Sequence, residues 1–205
     1  LIHRAIKVEE FNFLLKLENE LKPIRPYWKS WQDEVELIYA YVYLRMDQIE
    51  KSKAFLESSR KYSLKVNDNN YSIVSEENLF LSLVIELVYS NYQKAFTLIK
   101  DILESYPDSD RLSDYYFWYG VLQYEIEKNS MQTIMAMRQV DVNGKRADDR
   151  LFLQAKVNYD QQNWTATNLS ILNLKKLHPE SPFLEEGLYL QSHAIFQQKQ
   201  YNSAL

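Results

Sequence analysis

The fold is decided by the stretch YQKAFTLIKDILESYPDSDRLSDYYFWYG, residues 92–120, in which a helical segment is followed by a proline turn and an aromatic helix start. Tyr92 lies fifteen residues before Pro107, and the same spacing separates Trp164 from Pro179. Another copy begins at Tyr201. A helix–turn–helix pattern that recurs at a fixed spacing is typical of repeat proteins, in which each unit stacks on its neighbour. The sequence therefore predicts a helical solenoid.

The composition also favours helices over a β-sandwich or barrel. The chain has 3 Gly and 5 Pro, too few for many short strands joined by Gly-rich turns. The net charge of −4 disfavours nucleic acid and anionic membrane surfaces as partners. The absence of Cys excludes disulfides and thiolate metal sites. Since the most apolar run, residues 79–89, is much shorter than the roughly 20 residues that span a bilayer, no transmembrane segment is predicted.

The units align when each is counted from the residue that opens its first helix. These starting residues are Asp33, Glu76, Ser113, Asp148 and Glu185. Position eight is then held by Ala40, Leu83, Gly120, Ala155 and Ser192. Position twenty is held by Ser52, Ala95, Gln132, Thr167 and Ala204. Small residues dominate both positions, as expected where two helices cross closely, and Gln132 is the clearest departure.

This register resembles the tetratricopeptide repeat, whose period is about 34 residues. The resemblance implies an all-α, right-handed solenoid of about five helix pairs over residues 33–205, the last pair incomplete. Residues 1–32 are predicted to form an N-terminal helix and linker, the helix being either a cap or the second helix of an earlier repeat. Because an incomplete pair exposes an apolar face, we expect further repeats, a cap, a partner or self-association there.

The turn sequences resemble those of one subgroup of this repeat family. Tyr-x-x-Ala at residues 92–95, combined with Tyr-Pro-x-Ser at residues 106–109, is similar to repeats of bacterial envelope proteins. Examples are the outer-membrane-assembly lipoprotein and the cell-division coordinator that accompanies the Tol-Pal system. The similarity implies a periplasmic or envelope-associated location, with the cytoplasm as the alternative.

The sequence lacks the patterns that mark an enzyme. His3, His178 and His193 are far apart in sequence and form no metal-binding pair. No Gly-rich phosphate loop or Gly-x-Ser-x-Gly elbow is present. The acidic pairs Asp148-Asp149 and Glu185-Glu186 open predicted helices, where the helix dipole favours negative charge, and this role is favoured over paired-carboxylate catalysis. We therefore predict no catalytic residue, no metal site and no cofactor.

The resemblance also implies a binding surface, since positions two, five, nine and twelve of each first helix line the concave face in this family. The predicted partner-binding residues are the acids Glu77, Asp114, Asp149 and Glu186, the aromatics Tyr41, Phe80, Phe117, Tyr124, Phe152, Tyr159, Tyr189 and Phe196, and Lys156 and His193. An aromatic floor with an acidic edge would suit an amphipathic helix or extended peptide with a basic flank. The alternative is that these aromatics pack between helices as core.

The predicted function is a non-catalytic protein–protein interaction scaffold or adaptor, acting in the assembly of a bacterial envelope complex. One alternative is a structural spacer or self-associating subunit of a larger machine, such as an envelope-embedded or motility complex. Another is the regulatory arm of an enzyme whose catalytic domain lies outside this segment.

Overall fold

The computed structural model describes Lys16, residues 32–66 and residues 73–198, and within these ranges the chain is helical and contains no strand. The α-helices of the described residues are α1 (Gln32–Arg45), α2 (Ile49–Val66), α3 (Ile73–Val88), α4 (Tyr92–Ser105), α5 (Leu112–Leu122), α6 (Ser130–Gln139), α7 (Ala147–Asp160), α8 (Trp164–Leu177) and α9 (Leu184–Gln197). The all-α prediction is confirmed for these residues. The predicted N-terminal helix, apart from Lys16, and the copy beginning at Tyr201 with Ala204 lie outside them.

The chain divides into two compact units, residues 1–98 and residues 99–205, with the boundary inside α4. In the first unit α1 packs on α2, α2 packs on α3, and α1 also contacts α3. In the second unit α5 through α9 pack consecutively, and α7 also contacts α9. Each unit is therefore built from helices that contact their neighbours in sequence.

Acidic residues mark where the first helix of each pair begins. The first helices start at Gln32, Ile73, Leu112, Ala147 and Leu184. The predicted unit starts fall one residue later in each case except Glu76, which is three residues late. All five first turns contain an acid, as expected from the attraction of negative charge to the unpaired N–H groups at a helix N-terminus.

Helices within a pair are joined by one recurring tight turn. Its central residue has a left-handed backbone, with φ of 57° at Asp47, Ser90 and Gln162 and 50° at Lys128. In three of the turns the next N–H donates to a carbonyl five residues earlier, as Asn163 does to Asn158 at 2.8 Å. This arrangement satisfies the last carbonyls of the first helix. The turn residue is not Gly in any of the four.

The third pair departs from this pattern because α5 is followed directly by a π-helical segment, Gln123–Glu127. Here the N–H after the left-handed residue, that of Asn129, donates to Gln123, six residues earlier. The π segment thus adds one residue before the turn. Thr133, with no exposed surface, therefore occupies the place predicted for Gln132, which is exposed. The assignment of Gln132 to the closely packed position was wrong by this one residue.

Small residues stand where helices approach closely. Ala40 and Ser52 are fully buried, and the Ser52 hydroxyl donates to the Ala40 carbonyl at 2.7 Å, across α1 and α2. A Cβ added to Gly120 would lie 2.3 Å from the terminal methyl of Met137 and 3.3 Å from Ala136 Cβ, so α5 and α6 cross closely and a side chain at residue 120 would require Met137 to move. Position eight is buried in the first four pairs. Ser192 is exposed, and the second helix predicted to cover it lies outside the described residues.

Candidate functional site

The predicted partner-binding residues of the second unit lie on α5, α7 and α9, the first helices of its pairs. We call positions two, five, nine and twelve of these helices the first-helix face. Its members are Asp114, Phe117 and Val121 on α5 with Tyr124 in the π segment that follows it, Asp149, Phe152, Lys156 and Tyr159 on α7, and Glu186, Tyr189, His193 and Phe196 on α9. The structure brings most of them into contact with the neighbouring first helix or with the residue that precedes it.

Between α5 and α7 the central residue is Arg146, the N-cap of α7. Its guanidinium lies 4.9 Å from the centre of the Phe117 ring. Arg146 Nε is 3.5 Å from Asp114 Oδ1, and Nη1 is 3.3 Å from Asp149 Oδ2. Burial raises the pKa of Asp149 above its usual value, and Arg146 only partly opposes that effect. One cation therefore covers an aromatic ring and joins the acidic residues of two successive first helices.

Between α7 and α9 the corresponding residue is Phe183, the N-cap of α9. Its ring stacks on Phe152 with centroids 4.9 Å apart and planes 12° apart. Lys156 lies over the same Phe152 ring at 5.8 Å and reaches Glu186 with an Nζ–Oε1 distance of 3.9 Å. The position-five aromatic of α7 is thus covered by the start of the next first helix, as on α5.

The position-twelve tyrosines also contact the next pair. The Tyr124 hydroxyl donates to the Asp160 carboxylate. Burial and this hydrogen bond raise the pKa of Tyr124 well above its ordinary value. Tyr159 Oη and His193 Nδ1 are 2.7 Å apart, and His193 Nε2 is 3.1 Å from Gln197 Nε2. Since both ring nitrogens of His193 have partners, this histidine is occupied in joining α7 to α9.

The predicted aromatics of the second unit differ in exposure, and Tyr124 and Tyr159 are half-buried. Phe117 and Phe152 are 6% and 7% exposed and belong to hydrophobic core clusters. Tyr189 and Phe196 on α9 are 71% and 53% exposed. The core interpretation, left open by the sequence, therefore holds for the position-five residues of α5 and α7. The most exposed aromatic side chains among these predicted residues are therefore the two on α9.

Three of the predicted partner-binding residues lie in the first unit. The Tyr41 hydroxyl accepts a hydrogen bond from Arg45 Nη1 at 3.0 Å, and the Arg45 guanidinium lies 5.9 Å from the ring centre. Phe80 and Glu77 on α3 are half-buried.

Sequence reasoning missed Arg146 and Phe183, which cover the position-five aromatics. Both precede a first helix by one residue, a position outside the four that the family resemblance assigns to the concave face. The available signal was their common offset: each stands two residues before the predicted unit start at Asp148 or Glu185. Aligning the units by that offset would have exposed the correspondence.

The described residues offer little to a metal or small ligand. Within these ranges no three His, Asp or Glu side chains are grouped to hold a metal ion. A cavity of about 330 Å³ opens beside the starts of α5 and α7. Its charged lining is balanced, with three acids and three bases: Asp110, Asp114, Asp141, Arg111, Lys145 and Arg146. Among the helices described, none has the length and apolar character needed to cross a membrane.

Comparison with known proteins adds no relative. No protein-family model, curated protein or solved structure matches this chain.

Proposed function

We propose that this chain is a non-catalytic scaffold of tetratricopeptide-like helix pairs, stacked as a right-handed solenoid, and that it binds a protein partner through the α9 part of the first-helix face. The observation that carries the proposal is the exposure of Tyr189 and Phe196 at 71% and 53%. Residues seven apart lie on the same side of a helix, so both rings are offered to one partner. Large exposed aromatics of this kind are typical anchors of protein interfaces.

The acidic residues near Tyr189 also favour this surface as the binding site. Glu185 and Glu186 are exposed in the first turn of α9, beside Tyr189. Acidic residues at the edge of an aromatic patch select partners with a basic flank and raise the association rate. The equivalent aromatics Phe117 and Phe152 are already covered by the chain itself, so they support the fold while α9 supplies the contact.

The test compares two double variants matched in exposure. Tyr189→Ser with Phe196→Ser removes the α9 anchors. Met131→Ser with Met135→Ser removes two α6 residues that are 71% and 51% exposed. Each tagged protein, shown to be equally helical, is used to capture partners from extracts of the source cell, with identification by mass spectrometry. We expect a partner that is retained by the wild type and the α6 variant and lost by the α9 variant. Retention of every partner by the α9 variant would refute the proposal.

For the cellular location we propose the bacterial envelope, which rests on the similarity of the turns at residues 92–95 and 106–109 to those of envelope repeat proteins. Fractionation of the source cell, followed by immunodetection of the chain, tests this. Recovery in the cytosolic fraction would refute it.

A further inference from the structure

The two interfaces within the second unit show what a first helix accepts against its position-five aromatic. On α5, Phe117 is covered at 4.9 Å by Arg146, and on α7, Phe152 is covered at 4.9 Å by Phe183. Both covering residues are the N-cap of the next first helix. Tyr189 is the equivalent residue on α9 and is 71% exposed. Its natural complement is therefore the first residue of another helix.

The acidic residues beside the position-five aromatics indicate which residue type would cover Tyr189. Asp114 and Asp149 both lie within 3.5 Å of Arg146. When Phe183 packs on Phe152, the nearby Asp149 has already been paired with Arg146. On α9 the situation resembles α5, because the ion pair of Glu186 with Lys156 spans 3.9 Å and leaves the Glu186 side chain 57% exposed. An arginine at the start of the incoming helix would satisfy Tyr189 and Glu186 together.

The α7–α9 interface gives the spacing of the second anchor, because Phe196 lies in α-helix as Tyr159 does. The α5–α7 interface differs, since Tyr124 lies in the π segment and meets Asp160, fourteen residues after Arg146. Phe183 covers Phe152, and ten residues later His193 meets Tyr159, the position-twelve residue of α7. Phe196 is the position-twelve residue of α9 and lacks the hydroxyl through which Tyr159 bonds. An apolar side chain therefore suits it better than a polar one. The complement to the α9 face is an arginine followed about ten residues later by an apolar residue.

We propose that the α9 face, formed by Glu186, Tyr189 and Phe196, binds a helix of a partner protein that begins with an arginine. The guanidinium lies over the Tyr189 ring and pairs with Glu186, as Arg146 does with Phe117 and Asp114. A planar guanidinium can stack on the ring and bind the carboxylate at once, which a lysine ammonium cannot do equally well. An apolar residue about ten positions later packs on Phe196. This inference rests on the proposed function, since it names the partner chemistry of the same surface.

The probe is a fluorescent, helix-stapled peptide that reproduces residues 143–160 of this chain with Lys156→Leu. It begins its helix with Arg146 and places Leu ten residues later. Binding to the whole chain is measured by anisotropy. We expect Tyr189→Ala and Phe196→Ala each to weaken binding at least about tenfold, the range of an aromatic anchor. Met131→Ala and Met135→Ala should change it less than about twofold. The peptide carrying Arg146→Ala should bind about fivefold or more weakly, and added salt should reduce that difference.

The outcomes separate this inference from the proposed function. If the Arg146→Ala peptide binds as tightly as its parent while Tyr189→Ala still abolishes binding, the arginine is refuted and the proposed surface stands. Failure of the parent peptide to bind, or binding that ignores Tyr189 and Phe196, overturns the inference, whereas the proposed function is judged by partner capture. Sedimentation velocity covers a third case: a wild-type dimer that Tyr189→Ala dissociates would make a second copy the occupant and overturn the inference as well.

Discussion

Replacing Thr133 by Leu, with Gln132→Leu as its control, tests the register that the π segment imposes on α6. Thr133 is fully buried where α5 and α6 cross, and its carbonyl oxygen lies 3.6 Å from the point where a Gly120 Cβ would stand. Gln132 precedes it by one residue and is exposed. The register predicted from the sequence assigns the close position to Gln132, so the two variants distinguish the alternatives.

The size of the effect follows from the contacts of Thr133. Overpacking a close helix crossing costs roughly 1–3 kcal/mol. The Thr133 hydroxyl also donates to the Asn129 carbonyl at 2.9 Å, a bond worth about 0.5–1 kcal/mol. That carbonyl still accepts the Thr133 N–H at 3.0 Å in the variant, so no buried acceptor is left unpaired. We expect Thr133→Leu to lower the free energy of unfolding by about 2–3 kcal/mol, and Gln132→Leu to change it by less than about 0.5 kcal/mol.

Urea unfolding followed by far-UV circular dichroism measures both variants. With an m-value near 2 kcal/mol/M, the Thr133→Leu midpoint should fall by about 1 M and the Gln132→Leu midpoint should remain within about 0.3 M of wild type. Hydrogen exchange of α5 and α6 amides locates the loss in the second unit. A larger destabilisation by Gln132→Leu than by Thr133→Leu would refute the one-residue insertion and restore the sequence-based register.

Four further variants test the turn before α8, the N-cap of that helix and one ionisable contact. Gln162→Gly should stabilise the chain by about 0.5–1 kcal/mol, because Gly adopts the φ of 57° at this position without strain. The control, Gln161→Gly, replaces a residue with φ −83° and should destabilise the chain by a similar amount. Thermal unfolding compares the two variants. Asn163→Ala should cost about 1 kcal/mol in urea unfolding, because the Asn163 side chain accepts from the Ala166 N–H at 3.3 Å, and an unchanged midpoint would exclude a capping role. The folded pKa of Tyr124 is raised above the unfolded value of about 10, so its contribution to stability is complete below that pH and is lost as the pH rises above it. The free energy of unfolding of Tyr124→Phe should therefore fall less steeply with rising pH than that of wild type between pH 9 and 11. Equal slopes would show that the Tyr124 hydroxyl titrates alike in the folded and unfolded states.

The helices and their order could be predicted from the sequence because both depend on local signals. Aromatic and small residues at fixed offsets, acidic first turns and the scarcity of Gly and Pro all point to paired helices, and the starts at Gln32 and Ala147 were found to within one residue. Propensity and capping act over a single turn of helix, so they can be recognised in a single sequence.

The π segment and the contacts that Arg146 makes could not be predicted from local sequence signals. A π insertion changes one hydrogen-bond ring and leaves the apolar pattern nearly intact, so Gln123–Glu127 looks like ordinary helix in sequence. Arg146 acts through contacts with Asp114 and Phe117, about thirty residues earlier, and a cation before a helix has many other uses. Both features depend on how neighbouring helices meet, which one linear pattern does not specify.

An aromatic residue at a recurring position of this chain can be part of the core or part of an exposed surface, depending on whether a neighbouring residue covers it. Phe117 and Phe152 belong to core clusters and are also covered by a guanidinium and a ring, respectively, whereas Tyr189 occupies the same position and remains exposed. The covered copies therefore describe what the exposed copy can accept. A partner that brought only an apolar ring to Tyr189 would leave the half-exposed Glu186 beside a desolvated surface, which is unfavourable for a carboxylate. A partner that brought a guanidinium would gain the ring and the carboxylate together, so selectivity at this face should follow the arginine more than the apolar area.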